Sequence, residues 1–262
     1  MSFQPVVAGS GLAGWAFLKR TLPAQTDTFN TSPMLQRDTA YFSENIRKIE
    51  SAEQLVADRR LLRVALGAFG LDADIDNRFF IQKILEEGTL KSDALANKLA
   101  DSRYSKLSKA FGFGDFATPS TKISDFGEKI VSAYRARQFE IAVGNQEDTM
   151  RLAMNAIREL EEVSSTGRSD DAKWYSVMGS PPLRKVMETA LGLPASFAQL
   201  DLDKQKEEFR DRLNSAFGDG EISQFTSEAA REKLVERYLV MSQLDTGQSM
   251  NGGQIALTLL QF

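Results

Sequence analysis

The segment Gly9-Ser10-Gly11-Leu12-Ala13-Gly14 is the first in the chain whose spacing suggests chemistry. It is a GxGxxG string preceded by Val6-Val7-Ala8 and followed by Trp15-Ala16-Phe17-Leu18. In a dinucleotide fold such glycines allow a tight turn and let backbone N–H groups approach a pyrophosphate at a helix N-terminus. The surroundings do not supply the rest of that fold. The preceding apolar run has about three residues, and no second strand follows. The place where a ribose-binding acid belongs falls in a Thr/Pro-rich stretch. The glycine segment therefore reads as part of a flexible arm that carries one short helix around Trp15–Arg20, with a nucleotide-binding enzyme kept as the minor alternative.

Asp72-Ala73-Asp74-Ile75-Asp76 resembles the opening of a calcium loop. Such a loop needs Gly at its sixth position and a bidentate Glu at its twelfth, and the chain has Asn77 and Lys83 there. A helix N-terminus that welcomes negative charge explains these acids better. Glu86-Glu87, Glu159-Glu161-Glu162 and Glu207-Glu208 lie among Lys and Arg on predicted helices and read as solvated faces. Arg135 and Arg137, diluted by Glu128 and Glu140, read as helix surface, and Met150 and Met154 as core. No catalytic, cofactor-binding or metal-binding residue is assigned.

Composition narrows the chemistry further. The 262 residues include no His and no Cys. That removes the Ser-His-Asp relay, His- or thiolate-held metals, cysteine nucleophiles and disulfides. Carboxylate or lysine chemistry survives only where burial or neighbours move a pKa. The net charge of −4 lacks the basic excess of a nucleic-acid binder. No apolar run approaches the ~20 residues of a membrane span. Residues 1–20 lack the pattern of a secretory signal. The expectation is a cytoplasmic or flagellum-associated protein without a cleavable signal, with no nucleic-acid partner and no membrane insertion.

The elements that would hold such residues are almost all helical. Apolar residues recur at helical spacing from residue 38 onward, and alternating β-branched runs are nearly absent. Asp38, Ser51, Ser92, Asp101 and Ser227 are candidate N-caps, and Ser51 with Gln54 fits a capping box. Ser180-Pro181-Pro182 is a strong start signal. Gly70, Gly88, Gly112 and Gly192 stop helices.

The fold class expected is all-α, a multi-helix bundle with extended N- and C-terminal arms. The organisation reads as an N-terminal arm at 1–37 and a first helical unit at 38–116. A central helix pair at 117–169 and a second unit at 170–245 follow, then an apolar C-terminal tail at 246–262. LLRVALGAFGL at 61–71 and LRKVMETALGL at 183–193 share Leu61/Leu183, Val64/Val186, Ala68/Ala190, Gly70/Gly192 and Leu71/Leu193. A-F-G also recurs at Ala110-Phe111-Gly112 and Ala216-Phe217-Gly218. These are either ordinary helix endings or the mark of two related halves. The apolar ends, 6–18 and 255–262, suit self-association or protein partners.

Several stretches together resemble a known family. They are Trp15-Ala16-Phe17-Leu18-Lys19-Arg20-Thr21, Arg37-Asp38-Thr39-Ala40-Tyr41-Phe42-Ser43-Glu44-Asn45-Ile46 and Asp58-Arg59-Arg60-Leu61-Leu62. Ala96-Asn97-Lys98-Leu99-Ala100-Asp101 with Arg103-Tyr104, and Val177-Met178-Gly179-Ser180-Pro181-Pro182-Leu183-Arg184, complete the set. The chain is similar to a proteobacterial domain-of-unknown-function family often encoded among flagellar genes. The resemblance implies a setting in flagellar structure, assembly or export, with flagellar components among the partners. It implies no activity, cofactor or site residues. The function expected is contact-based and non-enzymatic, with a cytoplasmic adaptor or chaperone for an export substrate as the alternative.

Overall fold

The computed structural model describes residues 3–259, and side chains through residue 244 apart from that of Ala195. Among these residues there are thirteen α-helices and no strand. The helices are α1 (Gly11–Asn30), α2 (Pro33–Asn45), α3 (Ala52–Ala57), α4 (Arg59–Phe69), α5 (Arg78–Glu87), α6 (Leu95–Lys98) and α7 (Ser102–Phe111). They continue with α8 (Phe126–Gly144), α9 (Asp148–Ser164), α10 (Asp170–Met178), α11 (Pro181–Ala190), α12 (Leu202–Phe217) and α13 (Glu228–Leu259).

The chain divides into two compact units. The first comprises Met1–Val6 and Thr21–Val143, the second Val7–Arg20 and Gly144–Phe262. The expected central pair at 117–169 is therefore corrected: α8 belongs to the first unit and α9 to the second. The break lies at Gly144-Asn145, where two poor helix formers follow each other. The loops at residues 112–119 and 165–169 lie inside units, not between them.

The N-terminal arm expected at 1–37 is corrected too. Residues 11–30 form one 20-residue helix despite Pro23 inside it. Low intrinsic propensity is overridden by burial. In the second unit Trp15 and Leu18 are buried, and the Trp15 indole donates to Glu232 at 3.2 Å. In the first unit Phe29 meets Phe139 edge-on with centroids 5.5 Å apart. Val6 is held there as well, since its N–H donates to Gln25 Oε1 at 2.6 Å and its carbonyl accepts from Gln25 Nε2 at 3.0 Å. At the other end, the tail expected at 246–262 is corrected as far as Leu259: α13 runs from Glu228 to Leu259 and takes in residues 246–259. The side chains of the apolar stretch 255–262 lie outside the described ones.

Both units repeat one order. In the first, α4 ends at Gly70 with φ 72°, and Leu71 N–H bonds Leu66 C=O at 3.0 Å. In the second, α11 ends at Gly192 with φ 65°, and Leu193 N–H bonds Glu188 C=O at 2.9 Å. This six-to-one bond over a left-handed Gly closes a helix and uses an orphan carbonyl. A distant arginine then completes each ending. Arg137 Nε of α8 donates to Ala68 C=O at 2.9 Å, and Arg237 Nε of α13 donates to Ala190 C=O at 2.7 Å. A cation there meets the negative end of the helix dipole.

Each ending leads to a 3-10 turn, Asp72–Asp74 or Ala195–Gln199. The next stretch, α5 to α7 in one unit and α12 in the other, closes on Ala-Phe-Gly, with Gly112 and Gly218 left-handed. A 3-10 turn and the long arginine-bearing helix follow in both. The shared residues seen in sequence thus occupy matching structural positions, which is what duplication of a helical unit would leave.

Candidate functional site

Glycines at the start of α1 serve close packing within the second unit. A Cβ at Gly14 would run into the carbonyl of Gly9 and stand 3.0 Å from the Met150 methyl. One at Gly11, where φ is 58°, would strike the Gln243 side chain. Among the described residues no strand precedes these glycines, and at Gly11 and Gly14 the missing Cβ is accounted for by packing against Gln243 and Met150.

The three acids at 72–76 diverge onto separate partners. Asp72 accepts from Gln138 Nε2 at 2.8 Å, Asp74 from Tyr104 Oη at 2.8 Å, and Asp76 pairs with Arg59 at 2.6 Å. Among the described residues no group of three such side chains is placed to hold a metal ion. Burial, aided by Asp74, pushes the Tyr104 phenol up to about 12.

Three surface assignments fail because the partners are remote in sequence. Arg135 and Arg137 leave α8 to reach Thr39 Oγ1, at 3.1 Å, and Ala68 C=O. Glu159 is buried, accepting from Ser180 Oγ at 2.5 Å and Asn155 Nδ2 at 3.2 Å. Asp38 caps no helix: it sits inside α2, buried, 3.5 Å from Arg63 and 3.9 Å from Arg60. Ser92 is not a cap, since α6 starts after Ala94 without a side-chain acceptor. Ser51 does cap α3, but Gln54 returns its hydrogen bond to Glu50 N–H, one residue earlier than a capping box requires. Met150 is core, as expected.

What stands out on the first unit is a pair of exposed apolar side chains on two knitted loops. Leu90, just past α5, is 73% exposed, and Phe116, just past α7, is 57% exposed. Asp115 ties the loops together. Its carboxylate accepts from Thr89 N–H at 2.6 Å, Thr89 Oγ1 at 2.8 Å and Leu90 N–H at 3.1 Å. Burial would raise this carboxyl, but those donors outweigh it and hold it below its ordinary value, with Lys109 helping. Gly88 and Gly114 permit the approach: a Cβ at Gly114 would collide with Glu86 C=O, and Gly88 has φ 71°.

Beside the pair opens a groove of about 570 Å³ lined by Lys83, Glu86, Glu87, Lys91, Asp93, Leu95 and Lys98. Glu87 accepts from Leu95 N–H at 2.6 Å, which fixes the start of α6 against α5. Apolar anchors on rigid loops beside a charged groove suit a protein contact, in which large side chains fill a partner's pockets and a polar margin sets register. Further along α5, Phe79 is 82% exposed. Sequence periodicity did not find this surface, because Asp115 and Leu90 are joined only by the fold.

The fold and this surface define an all-helical protein of two similar units. The chain belongs to the family described as "Protein of unknown function (DUF1217)", whose model matches residues 68–230, more than half of its length. Its fold resembles a crystal structure of protein AGR_C_984 from Agrobacterium tumefaciens. The TM-score is 0.75 at 25% identity, over 93% of this chain and 98% of that one. No curated protein matches the chain. Among the described residues no helix is long and apolar enough to cross a membrane.

Proposed function

We propose that this protein is a non-enzymatic, flagellum-associated protein that acts through protein–protein contacts. The observation that carries the contact reading is the Leu90/Phe116 pair, exposed on loops that Asp115 locks. An isolated exposed apolar residue is ordinary. Two of them on loops that one carboxylate ties together, next to a charged groove, form a preorganised surface whose ordering cost falls on folding and not on binding. The flagellar setting rests on the sequence resemblance, which spans both units. In strains that make the protein natively, replacing Leu90 and Phe116 by Ser should impair swimming as gene deletion does, with the protein still folded and abundant. Normal flagella and normal swimming in the deletion strain would refute the flagellar assignment.

A further inference from the structure

One contact at the matching helix endings is made in the first unit and not in the second. In the first unit two arginines stand at the end of α4. Arg137 of α8 donates to Ala68 C=O at 2.9 Å, and Arg103 of α7 donates through Nη1 to Gly70 C=O. A Cβ at Gly70 would lie 2.9 Å from Arg137 Nη1 and 3.6 Å from Arg103 Nη1. Asp101 steadies the Arg103 guanidinium, accepting from Nη2 at 2.6 Å and from Nε at 3.0 Å. The arginine reaches Gly70 because α7 packs on both α4 and α5.

In the second unit Arg237 donates to Ala190 C=O at 2.7 Å, as Arg137 does to Ala68. Among the described residues no side chain donates to Gly192 C=O, and a Cβ at Gly192 would meet only the Met241 methyl, at 3.5 Å. The sequence explains the difference. Counted back from the shared Ala-Phe-Gly, the place of Arg103 falls on Phe209, which is buried and stacks on Trp174 with centroids 5.5 Å apart. Accordingly α12 packs on α10. Beside α11 there remains a groove of about 710 Å³, with Lys185, Glu188, Thr189, Gly192, Pro194 and Met241 in its lining. The matching face of α4 keeps an opening of only about 240 Å³, lined by Arg59, Arg63, Leu66 and Asp72 with Ile75. Those first four positions are the ones that Pro181, Lys185, Glu188 and Pro194 hold in the larger groove. The smaller opening does not extend to Gly70, where the two guanidinium groups stand.

We propose that the α11 groove docks an arginine-bearing helix of a partner protein, seated on α11 as α7 is seated on α4, with its guanidinium donating to Gly192 C=O. The left-handed ending at Gly192 presents that carbonyl at the negative end of α11, where a planar cation with several donors is favoured. Pro194 and the Met241 methyl offer apolar surface to the arginine stem. Lys185 is exposed and has no partner among the described residues. It is placed to meet a carboxylate that travels with the arginine, as Asp101 travels with Arg103. Glu188 is paired with Arg184 at 2.7 Å and so does not draw the incoming guanidinium away from the carbonyl. This surface belongs to the second unit and is distinct from the Leu90/Phe116 loops of the first.

The probe is a synthetic peptide of residues 100–112, the chain's own α7 with its flanks, held helical by a lactam staple. It is titrated into the full chain with labelled methionine methyl groups, the Met241 signal being assigned by its loss in Met241→Leu. The Met241 methyl resonance should move saturably at millimolar peptide. The same peptide with Arg103→Ala should leave it in place. Lys185→Glu in the protein, at an exposed position, should weaken binding by about fivefold. A Met241 methyl that does not respond to the peptide would overturn the proposal. So would an equal response to the Arg103→Ala peptide, which marks apolar contact without arginine recognition, or undiminished affinity in Lys185→Glu.

Discussion

Asp115→Ala probes the contact surface at the group that shapes it. The substitution removes an acceptor from two backbone N–H groups and one hydroxyl, at 2.6, 3.1 and 2.8 Å. Hydrogen bonds to a charged acceptor contribute about 1.5–3 kcal/mol each when shielded. This site is half open, with Leu90 itself exposed, so water replaces much of what is lost. The net cost is about 2 kcal/mol for the three together. Urea unfolding should show that loss as a lower midpoint with an unchanged slope. Amide exchange should locate it, with Thr89 and Leu90 losing protection while residues of α4 keep theirs. Asp115→Asn, which keeps one acceptor oxygen, should cost about half as much. The carboxyl is held low in the fold, so its contribution is full above the ordinary aspartate pKa. It fades as pH falls through the lower folded value, and the wild type and Asp115→Ala should therefore converge in acid. Unchanged exchange at Thr89 and Leu90 in Asp115→Ala would refute the claim that this carboxylate organises the surface.

Other outcomes follow from the same geometry. Gly14→Ala should destabilise by about 1–3 kcal/mol, because its methyl group meets the Gly9 carbonyl and the Met150 methyl. NAD, FAD or ATP should leave the melting temperature unchanged in that variant and in the wild type; a thermal shift would revive the nucleotide reading. Ser180→Ala should cost about 2–3 kcal/mol in thermal or urea unfolding, since it takes a donor at 2.5 Å from the buried Glu159 carboxyl. Glu221, just before the 3-10 turn Ile222–Thr226, has its carboxyl pushed up to about 7, chiefly by Asp170 and then by burial, so its proton is favoured in the fold. Its contribution is full below the ordinary glutamate pKa and is lost as pH rises through about 7. Its side chain is 44% exposed, so solvent limits the effect to about 1 kcal/mol. Wild-type melting temperature should fall relative to Glu221→Gln between pH 5 and pH 8.5, and parallel curves would contradict this.

The parts of the fold legible in sequence are those fixed by local chemistry. Gly70, Gly112 and Gly192 end helices because a left-handed residue without Cβ is needed there, and all three have positive φ. Pro181 opens α11 because a first-turn residue needs no N–H partner. The echo between 61–71 and 183–193 was visible as letters, but the arginines that complete both endings come from 69 and 47 residues away. The helix at residues 15–20 was legible, but its continuation through residues 21–30 was not, for the opposite reason. Thr, Pro and Asn argue locally against helix, and the packing of Phe29, partly buried against the first unit's core, decides otherwise. Asp38 looked like a cap because the cap rule is local; Arg60 and Arg63, which hold it inside α2, are not. The candidate surface was illegible throughout, since the loops that carry Leu90 and Phe116 are joined only by the Asp115 carboxylate, 25 residues along the chain from Leu90.

The proposed partners are flagellum-associated proteins, bound through the Leu90/Phe116 surface. The most direct test places a photo-cross-linking residue at Leu90, at Phe116 and, as a control, at exposed Lys233 of the second unit, in cells that make the protein natively. A discrete cross-link to the same flagellar component is expected from Leu90 and from Phe116, absent from Lys233 and lost when Asp115 is replaced by Ala. No position-specific product from either residue, with the protein folded and at its normal level, would contradict it.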